Sequence, residues 1–321
     1  MNIGFIGCGK IAYYHADVLF DLGVNIASVS ARKNSPNIIS FTEKYNINKY
    51  YTNWRTMLKN ESLDALWVVA SWDQLDKLLI PLIKTGMPLF LEKPVALSSK
   101  KIKQAISLHK ITKQYIQVGY NRRFYSFMDE IKLIINKGEL RSVLVEIPES
   151  IDLTNIYLSN NLWFINSSHL IDLLFFFIGP LKLKYKTKKT LPNTKISSSY
   201  NALLETVENI PVHLTAEWNT ANNFGITFIV NDKRIVLKPL EIASIYEGFD
   251  IIEPSVKYPI KQFRPKLVKQ YKCRKKYKPG FFDQAEYFIN QFSSDRLIDC
   301  TKASMLQSSL DVTKLIEEII H

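Results

Sequence analysis

No run of eighteen or more uncharged apolar residues occurs in the 321-residue sequence. The greasiest segment, Leu170 to Gly179, is too short to span a bilayer and carries Asp172, so no membrane partner is expected. Cysteine is scarce. Cys8, Cys273 and Cys300 are widely scattered and form neither a metal-ligand spacing nor a secreted disulfide framework, which suits a reducing cytoplasm. The five histidines are too dispersed for a histidine-rich site, and no metal is expected. The opening "MNIGFIGCGK" lacks a basic n-region and a cleavage site, so no signal peptide is expected. Internal repeats and low-complexity tracts are also missing.

What is present reads as an ordinary globular chain, 46% apolar and 22% charged, and longer than one hydrophobic core usually serves. Two domains are expected, 1–120 and 121–321. The first ~120 residues alternate strand-like and helix-like patterns, the signature of a doubly wound parallel sheet. "NIGFIG", "VNIASVS", "LDALWVVAS", "MPLFLE" and "YIQVGY" are its strands. Helices fall between them, one of them starting at Ser35-Pro36 and running to about Tyr45. After "NRRF" the texture changes to segments such as "SVLVEIPESI", "VHLTAEWN", "GITFIVN" and "RIVLK" with helices between and after them. That half reads as an α+β domain with an open, largely antiparallel sheet.

Residues 7 to 12 read "GCGKIA", a G-x-G-x-x-A between a strand and a helix. A dinucleotide pyrophosphate needs backbone NH groups at a helix N-terminus and no side chain in its way. Gly7 permits the tight turn, Gly9 the close approach and Ala12 the packing of helix on strand, with Lys10 and Ile11 opening the helix. An NAD-specific site usually places an acid at the end of the second strand. Here "SVSARKN" offers Ser30 and Arg32, which suit a 2′-phosphate, so NADP is favoured over NAD. Ser71 and Trp72, after the next strand, and Glu92 are further cofactor-side candidates.

The run "PLFLEKPVAL" ends a buried strand in Glu92, Lys93 and Pro94. Ligands of open α/β sheets bind at the carboxyl ends of strands, so Lys93 is placed to exchange a proton with a carbinol as hydride leaves or arrives. His169 and Asp172, spaced i, i+3, share a helix face on which the carboxylate can orient the imidazole.

Five segments in order, "IGFIGCGKIAYYHADVL", "LDALWVVAS", "GMPLFLEKPVAL", "VGYNRRF" and "SSHLIDLLFFFIG", resemble the Gfo/Idh/MocA oxidoreductases. The resemblance implies a Rossmann domain, a second domain often used to form homo-oligomers (dimers or tetramers), and hydride transfer between a nicotinamide and a sugar-type compound. It makes Lys93 the proton-transfer lysine, His169 its partner at the substrate, and the Lys93-Pro94 bond cis. Many relatives carry an Asp four residues before the motif histidine. That place is Ile165 here, beside Asn166, which can bond a substrate hydroxyl but cannot relay protons.

Net charge is +12, with the densest basic segment "KQYKCRKKYKPG" at 269–280. The bland reading is solvated surface lysines. The functional one has the stretch Lys266 to Lys278 reaching over the cleft, where Lys272, Arg274, Lys275 and Lys276 meet an anion. Asn121, Arg122 and Arg123 at the crossover join the substrate-side candidates. A nucleotide-linked, phosphorylated or acidic sugar in surface-glycan synthesis is the expected substrate. A ligand sensor on the same scaffold is the alternative. No helix-turn-helix, zinc finger or aromatic RNP pattern supports a nucleic-acid partner.

Overall fold

The computed structural model describes residues 1–191, 196–293, 302 and 305–321, so Cys300 and the start of the closing helical segment lie outside the described residues. By packing, the chain divides into two compact units. The first comprises Met1–Phe124, Trp163–Leu173 and Lys275–Ile316, the second Tyr125–Leu162, Leu174–Arg274 and Glu317–His321. The chain therefore leaves the first unit near the expected cut at 120 but returns to it twice.

In the first unit, strands β1 (Asn2–Ile6), β2 (Asn25–Ser30), β3 (Tyr50–Tyr51), β4 (Ala65–Val68), β5 (Leu89–Leu91) and β6 (Ile116–Val118) form a six-stranded sheet in the order 3-2-1-4-5-6. Every pairing in it is parallel. The intervening helices are α1 (Lys10–Asp21), α2 (Ile38–Lys44), α3 (Trp54–Asn60), α4 (Trp72–Ile83) and α5 (Ser99–Thr112). Strands β4, β5 and β6 are buried throughout, as strands covered on both faces must be. The helix expected from Ser35-Pro36 starts later, at Ile38, after an Asn37 whose side chain makes no capping bond. The tiny β3 and the α3 turn, whose Asn53 side chain caps Arg55 N, carry too little hydrophobic pattern to read from sequence.

Helix α9 (Phe281–Ser293) returns to this unit and covers the sheet. Its Phe281, Ala285 and Phe288 join the core formed by Phe5, Ala12, Val29, Trp67 and Phe90. Gln117, fully buried on β6, donates to Gln284 O at 2.9 Å.

The second unit is organised on an eight-stranded sheet. Its strands are β7 (Leu140–Glu149), β8 (Leu181–Thr190), β9 (Ser197–Thr206), β10 (Pro211–Trp218), β11 (Gly225–Val230), β12 (Lys233–Leu237), β13 (Ile242–Ile252) and β14 (Gln262–Lys272). The order is 14-13-12-11-7-10-9-8, antiparallel except for the β7–β10 pair. Strands β7 and β10 alternate buried and open positions, so one face packs and the other does not. The remaining helices are α6 (Met128–Lys137), α7 (Ile156–Asn160), α8 (Ser168–Ile178) and α10 (Leu306–Ile320). The fold is thus α/β, a Rossmann sheet followed by a largely antiparallel one, as the sequence pattern implies.

Trp67 on β4 and Phe90 on β5 are fully buried and stacked, with ring centroids 3.9 Å apart and planes 5° apart, and Phe288 of α9 meets Trp67 edge-on at 5.2 Å. This aromatic layer underlies the two strands whose ends carry the candidate site. Phe90→Ala is expected to cost about 3–5 kcal/mol, lost stacking included. Equilibrium urea unfolding checks this, and a midpoint unchanged from the parent would contradict it.

Candidate functional site

The carboxyl ends of β1, β2 and β4 surround a cleft of about 530 Å³ at the point where the strand order reverses. Gly7, Gly9, Lys10 and Ile11 line it from the first turn, Ser30 and Arg32 from the end of β2, and Ser71 from the end of β4. Sequence reading missed Ser35, Asn37, Thr52, Trp54 and Gln74, which also face it. They follow short or irregular elements whose pattern names no chemistry.

The glycines differ in why they must be glycine. Gly7 has φ +104°, and a Cβ there would sit 2.7 Å from Val69 O and 2.9 Å from Ala70 N. Gly9 caps α1 with φ −75° and ψ −179°, and a Cβ there would meet nothing within 4 Å. Gly7 is therefore demanded by the fold, whereas the space over Gly9 is left for a ligand. Ala12 is fully buried and packs α1 on the sheet. An open turn at a helix N-terminus fits a dinucleotide pyrophosphate. Arg32 is open to solvent and has no ion-pair partner among the described residues. Trp72 begins α4 and is half-buried without being part of the cleft wall.

One strand over, β5 delivers Glu92, Lys93 and Pro94 to the same rim, and the Lys93-Pro94 bond is cis. Glu92 is buried and accepts from His15 Nε2 at 2.8 Å and from Lys93 N at 3.0 Å. Burial pushes the Glu92 carboxyl up, but the His15 hydrogen bond and the charges of His15 and Lys93 overcome this and hold it below the ordinary range. The Lys93 amine donates to Ile165 O. Ile165 lies in a π-helical turn, Trp163–Ser167, that leads into α8.

His169, 7% exposed, stands one turn after Ile165. Its ring meets Tyr120 edge-on at 5.7 Å, and its Nδ1 has no hydrogen-bond partner among the described residues. Burial, then the positive charges of Lys93, Arg122 and Lys278, hold its pKa well below the usual imidazole value. The ring is neutral at pH 7. Asn121 anchors the turn Asn121–Phe124 through its Nδ2 to Pro279 O at 2.8 Å. Asn166, half-buried, follows Ile165 in the π turn.

Residues 1–120 match the oxidoreductase family described by its NAD-binding Rossmann fold, Gfo/Idh/MocA. The match covers the first of the two halves of the chain, the dinucleotide-binding part. It is 26% identical over 140 residues to a myo-inositol 2-dehydrogenase of Thermotoga maritima, covering 44% of this chain and 42% of the relative. An uncharacterized oxidoreductase of Bacillus subtilis, YrbE, is 24% identical over 182 residues, or 55% and 53% of the two chains. The chain thus spans about half the length of the curated relatives it matches. The UDP-N-acetylglucosamine 3-dehydrogenase GnnA from Acidithiobacillus ferrooxidans has a similar structure, with TM-score 0.78, 14% identity and coverage of 99% of this chain and 96% of that one. At that identity the likeness is one of fold. The open Gly9 turn lies within the residues that match the NAD-binding Rossmann description, which supports a nicotinamide cofactor.

Two expectations from the sequence are corrected. Asp172 does not orient His169: both its carboxylate oxygens are taken by Arg123, Nε and Nη2 donating at 2.6 Å each. The planar guanidinium fits a carboxylate two-handed, which an imidazole cannot match. Nor is Lys266 to Lys278 one loop. Through Lys272 it is β14, paired along β13, and Arg274 closes that portion of the second unit. Lys275 onward belongs to the first unit, where Lys276 binds Asp21 at 3.0 Å with Tyr277 on the same carboxylate.

The two glycines give a paired test of the cleft. Gly7→Ala is expected to destabilise the fold, because its Cβ strikes backbone at a positive φ. Gly9→Val should leave the unfolding midpoint near the parent's while weakening dinucleotide binding at least tenfold. Thermal unfolding and fluorescence titration with NADPH separate the two. Equal NADPH affinity in Gly9→Val would show that the cradle is not used.

Proposed function

We propose that this protein is an NAD(P)-dependent oxidoreductase that moves hydride to or from a carbinol carbon of a sugar-type substrate. The observation that carries the reading is the Lys93 amine. It stands at the end of β5, on the rim that also bears the open Gly9 turn, with a neutral buried histidine beside it. The curated relatives that act on inositols support a hydroxyl-bearing ring as substrate class.

When bound, the nicotinamide supplies the hydride acceptor or donor. The chain's own residues handle the proton. Lys93 takes it from the hydroxyl as the carbinol is oxidised and returns it in the reverse direction. The Ile165 carbonyl fixes the direction of the amine but cannot itself be protonated near neutrality. It therefore orients without relaying. His169, kept neutral by its surroundings, is free to accept or donate a hydrogen bond to the substrate. Glu92, tied to both His15 and the Lys93 backbone, positions the lysine from below. Asn166 adds a neutral contact to a hydroxyl.

NADP is the favoured dinucleotide. Ser30 and Arg32 at the end of β2 line the cleft, and no acid takes the place where a ribose 2′-hydroxyl would be bonded. The substrate is a nucleotide-linked, phosphorylated or acidic sugar. The protein works as a homo-oligomer in the cytoplasm.

Lys93→Met is expected to lower turnover about 10²–10⁴-fold and to leave NADPH affinity within twofold. Turnover at parental rates in that variant would remove the lysine from the chemistry. A parent that binds NADPH and sugar yet reduces nothing would instead favour a ligand sensor. Arg32→Ala should weaken NADPH roughly tenfold, about 1.4 kcal/mol, with NADH nearly unchanged. Equal losses for the two nucleotides would contradict the NADP assignment.

A further inference from the structure

Exposed apolar side chains gather at the far end of the β13–β14 hairpin in the second unit. Strand β12 accompanies β13 only from Ala243 to Glu247. Past that point β13 pairs with β14, and Glu247 and Gly248 stand against the single Lys266. Gly248, at φ +68°, accepts the left-handed conformation that such a bulge needs, and a bulge bends the strand that carries it. From Phe249 to Pro265 the chain is then a ribbon two strands wide. Its tip is closed by Ser255 N to Tyr258 O at 2.8 Å and Tyr258 N to Ser255 O at 3.1 Å.

The register sorts the ribbon into two unlike faces. Phe249 stands opposite Pro265 and Ile251 opposite Phe263, so these four share one face. The Phe249 and Phe263 rings meet edge-on with centroids 6.4 Å apart. Asp250 stands opposite Arg264 and Ile252 opposite Gln262 on the other face, where Arg264 Nη2 donates to Gln262 Oε1 at 2.8 Å. Phe249, Ile251 and Phe263 are 62%, 55% and 60% exposed, and Val256, Tyr258 and Ile260 at the tip are open as well. A two-stranded ribbon is marginal in water until its apolar face is covered.

Area and charge both bear on what covers it. The six open side chains expose roughly 700 Å², close to the ~800 Å² that each partner buries in an interface of standard size. The ribbon carries Asp250 and Glu253 against Lys257, Lys261 and Arg264, and Lys261 binds Glu253 at 2.6 Å. Charge so mixed and internally paired gives little pull toward an anionic lipid surface or a nucleic acid. An apolar patch, by contrast, complements its own copy across a two-fold axis. Pairing through the outer edge of β14 is discouraged by Pro265, Lys266 and Lys269, so the face makes the contact.

We propose that this ribbon is an association arm that packs its Phe249–Ile251–Phe263 face on a second copy of this chain. The proposal rests on the homo-oligomer reading above and assigns the contact to named residues.

Sedimentation of the full chain over a dilution series provides the test. The parent should associate reversibly. Ile251→Asp should weaken association at least tenfold, and Phe263→Asp likewise, whereas Phe263→Leu should keep most of it. Asp250→Asn, on the opposite face, should stay within twofold of the parent. Far-ultraviolet circular dichroism matching the parent's is expected of every variant, since each altered side chain is open in the single chain. A parent that associates equally well with Ile251→Asp and Phe263→Asp overturns the arm and leaves the homo-oligomer reading standing. A parent that remains a single chain at every concentration brings down both. If that single chain co-sediments with phosphatidylserine vesicles and Ile251→Asp does not, the ribbon is a membrane contact instead.

Discussion

The ion pair between Arg123 and Asp172 is the constraint around which the candidate site is arranged. Its side chains are 5% and 1% exposed, and both guanidinium–carboxylate contacts are 2.6 Å long. It clamps the short helical turn Asn121–Phe124 to the first turns of α8. Arg122 precedes the guanidinium in sequence, and His169 lies one turn before the carboxylate, so the clamp fixes where each of them stands. A buried pair of this kind adds little net stability over an apolar pair of equal volume, yet breaking it by removing one partner costs about 3–5 kcal/mol. Its contribution is therefore to geometry more than to stability. The expectation that Asp172 serves His169 mistook a neighbour on the same helix face for a partner.

With Asp172 removed from the imidazole's surroundings, the electrostatics follow. A buried histidine ringed by Lys93, Arg122 and Lys278 gains nothing from protonation and stays neutral. The opposite solution holds one residue from Lys93. Glu92 is just as buried but keeps its charge, because His15 donates Nε2–H to it and the Lys93 amide adds a second bond. That assignment of the hydrogen follows from chemistry, since an ionised carboxylate can only accept. Two buried ionisable groups are thus held one neutral, by burial and nearby positive charge, and one ionised, by its hydrogen bonds. Lys93 lies next to the anion in sequence and bonds, through its amine, the turn that leads to the neutral ring.

The Rossmann half was legible because its strands are short apolar runs bounded by turns, with helices closed by Gly23 and Gly86, both at φ 70°. The glycine turn, the end of β2 and the Lys93 strand end were readable for the same reason. Chemistry at the carboxyl rim of a parallel sheet is placed by topology, and topology leaves a strong hydrophobic pattern. The second sheet was readable only at its centre. Strands β7, β10, β11 and β12 alternate or run apolar, whereas β8, "LKLKYKTKKT", and β14, "QFRPKLVKQYK", are edge strands loaded with lysine. Charge on an edge strand discourages pairing with other chains, and it also erases the period that reveals a strand. This is why the strand β14 is not separated in sequence from the basic stretch Lys266 to Lys278.

The substitution at Ile165 takes on a different meaning in the folded chain. Where many relatives place an acid, this chain has an apolar side chain, and sequence reading counts that as a loss. The π-helical turn Trp163–Ser167 changes the accounting, because a wider turn disturbs the regular ladder of helical hydrogen bonds and leaves carbonyls to be met otherwise. Phe164 O is met by the Ser168 hydroxyl at 2.7 Å, and Ile165 O by the Lys93 amine. The acceptor that an acid's side chain would supply is provided by the main chain at the same position. A carbonyl keeps the lysine pointed without adding a negative charge beside His169.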